Sequence, residues 1–110
     1  SEAGWWERVR PHSLGWVAAW DGESALIGFV NVAWDGGDHA FLLDTTVRAD
    51  HRRGGIGTEL VRIAVRHAAD AGCEWLEVDF EERLATFYLD ACGFRPTQAG
   101  LIRLRSDDGR

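Results

Sequence analysis

With 110 residues and a formal net charge of −6, the sequence has room for one cored domain and not for two. Its 45% apolar and 27% charged residues fit a globular protein, no run reaches the ~18 apolar residues of a membrane span, and the acidic balance argues against nucleic acid as main partner. The two cysteines, Cys73 and Cys92, form no CxxC pair and suit a reducing cytoplasm, the four histidines have no zinc-ligand spacing, and the N-terminus lacks the apolar stretch of a signal peptide.

Residues 4–10 (GWWERVR) predict a short helix stopped by Pro11. LGWVAAW (14–20) and ALIGFVNVAW (25–34) predict two strands joined by a turn at Asp21–Ser24. Asp35–Asp38 (DGGD) predicts a second turn, and HAFLLDTTV (39–47) a third strand. From Ile56 the spacing becomes helical, through Leu60, Ile63, Ala64, Ala68 and Ala71, with Gly72 as C-cap. CEWLEVDF (73–80) alternates like a strand, with Trp75, Leu76, Val78 and Phe80 as its apolar content. A second helix is predicted over 82–92, with Leu84, Phe87, Tyr88 and Ala91 on one stripe and Gly93 past its end, and GLIRLR (100–105) is read as a last strand. The resulting order, β-β-β-α-β-α-β, places a crossover inside a meander. It implies a mixed, mostly antiparallel sheet of the α/β (α+β) class.

HRRGGIGTEL (51–60) puts three glycines and two arginines at a strand-to-helix turn. The first N–H groups of a helix lack internal partners and carry the positive end of its dipole, glycines permit positive φ and close approach, and Arg52 and Arg53 add charge. Together these favour an anion such as phosphate or pyrophosphate. The dinucleotide fingerprint fails because Leu60 stands where its third glycine belongs, and a P-loop fails for want of the loop lysine. A plain glycine-rich turn is the remaining alternative. Tyr88, the only tyrosine, reads either as a core aromatic or as a proton donor with an ordinary pKa of about 10.

VRADHRRGGIGTEL resembles motif A of the GNAT superfamily of acyl-CoA-dependent N-acetyltransferases: a strand ending in Val, then [Q/R]-x-x-G-x-[G/A], then a helix, with Arg52, Gly55 and Gly57 on its fixed positions. FYLDACGF resembles motif B, in which a tyrosine precedes a closing Gly-Phe, and the resemblance spans roughly residues 14–104. It implies a GNAT-like fold over a single domain, residues 1–110, and transfer of an acetyl group from acetyl-CoA, as cosubstrate and without a metal, to a primary amine. It further implies that Arg52, Arg53, Gly54, Gly55, Ile56, Gly57 and Thr58 bind the pyrophosphate of coenzyme A. Thr46 and Val47 would lie along the pantetheine arm, and a β-bulge at Asp44-Thr45-Thr46 would splay this strand from the next parallel one. A backbone N–H near Val47 would meet the oxyanion, and Tyr88 matches the position of the general acid. Asp44 stands where the resemblance puts a base, with Asp79 as competitor.

Two departures stand out. Glu81 occupies a position often held by a cofactor-contacting asparagine, so that contact is not carried over. Only GWWERVRPHS precedes the meander, where the resemblance implies a strand and one or two helices. Either the sequence is a piece of a longer protein or it is a minimal member whose acceptor site is open or completed by another subunit. Trp5 and Trp6 then read as a homodimer contact, an acceptor-pocket wall, or packing over the sheet edge, and Trp16, Trp20 and Trp34 as core or sheet-face residues. The acceptor is an amine-bearing small molecule or peptide, with acidity favouring a cationic one. Two rival readings stay open: a non-catalytic acyl-CoA-binding or sensor module, and an interaction domain without a nucleotide ligand.

Overall fold

A computed structural model of the chain describes residues 2–105. Helix α1 (Glu2–Val9) runs through a 3-10 turn at Arg10–His12 into strand β1 (Ser13–Trp20). Strands β2 (Leu26–Trp34) and β3 (His39–Val47) complete an antiparallel meander; helix α2 (Ile56–Asp70) crosses over, and β4 (Trp75–Glu77) lies parallel to β3. The sheet order is β1-β2-β3-β4, so the mixed, mostly antiparallel sheet is as expected.

The turns are those the sequence specifies. Asp21 Oδ1 accepts the N–H groups of Glu23 at 2.8 Å and Ala25 at 2.9 Å, and Asp35 Oδ1 accepts that of Gly37 at 2.7 Å. Gly72, two residues past the end of α2, takes a φ of +92° that no side chain would favour, and its N–H donates to Ala69 O at 3.0 Å.

Period-2 alternation divides the sheet into two faces. Val17, Val30, Val32, Ala40 and Leu42 are buried against Leu60, Val61, Ala64 and Ala68 of α2. On the opposite face α1 lies on the sheet through Trp5, 6.3 Å from Phe29, and Trp6, 4.7 Å from Trp16 in an edge-on pair. Trp5 and Trp6 therefore pack over the sheet, while Trp16 and Trp20 are sheet-face residues with substantial exposure. Gly28 lets α2 dock: a Cβ there would stand 2.9 Å from Leu60 Cδ1 and 3.2 Å from Ile56 Cγ2. Both neighbours are held in the packed layer, so Gly28→Val should lower stability by about 2 kcal/mol. An unchanged thermal midpoint would refute this close packing.

Three predicted elements need correction. The strand over 73–80 shrinks to Trp75–Glu77, because β4 finds ladder partners only at His39, Ala40 and Phe41. The helix over 82–92 becomes a 3-10 turn at Glu82–Leu84 followed by a π-helical turn at Thr86–Ala91, marked by the Cys92 N–H donating five residues back to Phe87 O at 3.0 Å. Residues 100–105 form no strand: Leu101, Ile102 and Leu104 are exposed, since an apolar segment becomes a strand only where an edge pairs with it.

Candidate functional site

The site begins where β3 loses its regular register. Phe29 pairs with Thr46 and Asn31 with Leu43, so Asp44 and Thr45 both stand opposite Val30. This is the β-bulge expected at Asp44-Thr45-Thr46, and Asp44 adopts a φ of +60° to make it. Asp44 is exposed, and Thr46 Oγ1 donates back to its carbonyl at 3.2 Å. On the other side of β3, pairing with β4 stops at Phe41–Glu77, after which the two parallel strands part.

The exit from β3 is a braced turn. The Arg48 N–H donates to Ile27 O at 2.8 Å, closing the ladder, and residues Ala49–His51 form a 3-10 turn. Arg48 grips Asp50 with two hydrogen bonds, Nε to Oδ1 at 3.2 Å and Nη2 to Oδ2 at 2.7 Å, and His51 Nδ1 lies 2.9 Å from Oδ1. Arg48 first, then His51, holds the Asp50 carboxyl down to about 2 from an ordinary 3.8. A depressed carboxylate pKa means that this pairing supports the turn above about pH 4 and is lost as pH falls towards 2. Sequence reading missed this group, because Arg-x-Asp-His carries no signal until the turn brings the three side chains together.

Arg52 follows, and its Nε donates to Val47 O at 3.0 Å. Arg53 and Gly55 take positive φ, +74° and +83°. Among the described residues, the backbone N–H groups of residues 53–58 have no protein acceptor; the first helical bond is that of the Glu59 N–H to Gly55 O at 3.0 Å. A row of unpartnered amides at a helix N-terminus, beside the arginine pair, presents concentrated positive potential to an anion.

The three glycines do different jobs. Gly55 supplies the left-handed residue before α2. At Gly54 a Cβ would meet only ordinary contact, His51 O at 3.7 Å. At Gly57 it would stand 3.2 Å from Phe87 Cζ and 3.3 Å from Phe87 Cε1, so this glycine is demanded by a side chain of the π-helical turn. Ile56 and Thr58 are half-buried beside it.

Phe87 joins the two motifs. Its ring meets Gly57 on one side and Tyr88 on the other, edge-on at 4.8 Å. Tyr88 is 6% exposed and stacks on Phe80 at 5.1 Å, with Phe94 edge-on at 6.0 Å. Its hydroxyl makes no hydrogen bond within the described residues, yet no buried side-chain oxygen or nitrogen among them is left unpartnered, so the hydroxyl is not sealed from the surroundings. Tyr88 is thus a core aromatic whose hydroxyl is not sealed in. It leans on Phe80, just past the point where β3 and β4 part.

Beside that parting lies a cavity of about 790 Å³ lined by Phe41, Leu43, Trp75, Val78, Asp79 and Phe94, among others. Asp79 lines this cavity, whereas Asp44 stands on the bulge and does not. Glu81 pairs with Arg83 at 2.9 Å. Among the described residues no three His, Cys, Asp or Glu side chains group as metal ligands, and no helix is long and apolar enough to cross a membrane.

The family model of the acetyltransferase (GNAT) family matches residues 2–94. The fold is similar to that of glucosamine-6-phosphate N-acetyltransferase from Arabidopsis thaliana, with a TM-score of 0.79 and 17% identity over 94% of this chain and 76% of that one. It is also similar to a GNAT family acetyltransferase from Streptococcus pneumoniae (TM-score 0.75, 24% identity, 93% of this chain and 80% of that one). A third similar structure is AAC(6')-Iy in complex with the bisubstrate analogue CoA-S-monomethyl-acetylneamine (TM-score 0.63, 21% identity, 78% of this chain and 65% of that one). No curated protein matches the chain.

Proposed function

The chain belongs to the GNAT acetyltransferase family, and on that footing we propose that it moves an acetyl group from acetyl-CoA to a primary amine. The observation that carries this reading is the row of unpartnered amides at residues 53–58, set directly after a bulged strand that has parted from its parallel neighbour. Such a row fits a pyrophosphate, with Arg53 adding charge, and the edge of β3 at Thr46 and Val47 fits an amide-bearing arm.

The chemistry falls to a few side chains. Asp44 accepts a proton from the attacking amine, whose ordinary pKa of about 10 keeps it charged in water. The amine nitrogen forms a bond to the thioester carbonyl carbon, and the backbone N–H near Val47 meets the oxyanion. As the carbon–sulfur bond breaks, Tyr88 gives its phenolic proton to the leaving thiolate, and the second proton of the nitrogen, released as the amide forms, passes through solvent to restore the phenol. Asp79 is the competing base, supported by its place on the cavity. In a pH–rate profile, Asp44→Asn should flatten the acidic limb; a limb unaltered there and lost in Asp79→Asn would move the base to Asp79.

The acceptor we propose is a cationic amine-bearing small molecule or peptide, supported by the exposed carboxylates of Glu77 and Asp79, without an ion pair among the described residues, beside Phe41 and Trp75 at the cavity. We place the activity in a single domain working in the cytoplasm. The test is calorimetric titration with acetyl-CoA beside ATP and NADH. Binding of acetyl-CoA alone is expected; its absence, or equal binding of ATP, would remove the reading.

A further inference from the structure

The geometry points to Arg52 as a positioning residue that acts through its Nε–H, not through its charge, to hold the amide row of residues 53–58 in line with the end of β3. This rests on the coenzyme A reading of the loop and gives one of its arginines a task separate from electrostatics.

Val47 is the last residue of β3, and Arg52 immediately precedes the first unpartnered amide. The hydrogen bond from Arg52 Nε to Val47 O, 3.0 Å long, spans the whole turn between them. The other bonds act inside that turn. The His51 N–H reaches Arg48 O at 2.9 Å, the Arg52 N–H reaches Ala49 O at a long 3.5 Å, and Arg48, Asp50 and His51 are tied to one another. Among the described residues, only the Arg52 side chain connects the exit of the turn back to the strand on which the thioester would lie. Among the described residues it makes no ion pair there, so none of their carboxylates draws the guanidinium to this place.

The donor atom matters. Nε is the fourth atom beyond Cα along the arginine side chain. Glutamine carries its amide nitrogen at that same position and can donate to the same carbonyl, although it is neutral. Lysine has a methylene there and its charge one bond further out, as a point ammonium without the planar fork. Arg52→Gln therefore keeps a donor at that position and removes the charge, and Arg52→Lys keeps the charge and moves the donor one bond further out, off the Nε position.

The experiment is titration of wild type, Arg52→Gln and Arg52→Lys with coenzyme A, together with backbone ¹⁵N order parameters for residues 53–58 in the ligand-free protein. Arg52 is exposed, so both variants should fold. Positioning predicts that Arg52→Lys weakens coenzyme A binding about tenfold, the scale of one charge-assisted hydrogen bond, and that Arg52→Gln weakens it less than about threefold. It also predicts order parameters falling below roughly 0.6 for residues 53–58 in Arg52→Lys while they stay near wild type in Arg52→Gln. Tight binding by Arg52→Lys with weak binding by Arg52→Gln would overturn the inference in favour of a charge role. Equal behaviour of the two variants would overturn it as well. If wild type fails to bind coenzyme A, the proposed function falls, and the order parameters alone then decide whether Arg52 positions the loop.

Discussion

Tyr88→Phe lowers turnover at least about tenfold while acetyl-CoA still binds. The substitution is unusually clean here. The Tyr88 ring is packed between Phe80, Phe87 and Phe94, and phenylalanine retains that packing. The hydroxyl makes no hydrogen bond within the described residues, so its removal strands no partner and stability should change by less than about 1 kcal/mol. A lost rate in a fold of unchanged midpoint then belongs to the missing proton donor. General acids typically contribute about 100-fold or more, so tenfold is a lenient threshold. Steady-state kinetics beside an acetyl-CoA titration make the measurement. Unchanged turnover would take Tyr88 out of the mechanism and favour a water as donor; it would equally fit a non-catalytic acyl-CoA-binding module if the wild type were inactive.

Gly57→Glu weakens acetyl-CoA binding by roughly 100-fold or more, for two reasons that a control separates. The first is steric: any Cβ at this position presses on Phe87 at 3.2 Å, and Phe87 in turn abuts Tyr88. The second is electrostatic: a carboxylate set among the unpartnered amides would occupy the anion's place and repel its phosphates. Gly57→Ala brings only the first, and should weaken binding less than about tenfold while lowering stability by about 1 kcal/mol. Titration and thermal melting of both variants separate the two terms. Wild-type affinity in Gly57→Glu would mean that the loop does not receive the diphosphate.

Much of this site was legible before the fold. HRRGGIGTEL announces a helix N-terminus open to an anion because its signals are local: glycine conformational freedom, arginine charge and the onset of helical spacing. The bulge at Asp44-Thr45-Thr46 was expected from the resemblance and appears as a register shift opposite Val30. The family assignment likewise rests on two motifs read in order, and the match over residues 2–94 agrees with it. Other features had no local signal. That Gly57 is kept small by Phe87, thirty residues later in the chain, depends on the helix meeting the π-helical turn in space. The brace of Arg48, Asp50 and His51, and the reach of Arg52 to Val47, likewise exist only once the turn has closed.

By itself the sequence determined the meander, the amphipathic α2, the turns at Asp21 and Asp35, and a glycine-rich turn with two arginines ahead of α2, since each follows from periodicity or from the conformational preferences of neighbouring residues. Only the tertiary structure decided how long β4 runs, that residues 100–105 are no strand, and that the helix over 82–92 winds as a 3-10 turn and a π-turn. The physical reason is that alternation makes a segment able to pair but does not supply the partner. β4 lasts only as long as His39, Ala40 and Phe41 accompany it, and residues 100–105, though apolar enough to read as a strand, meet no edge among the described residues.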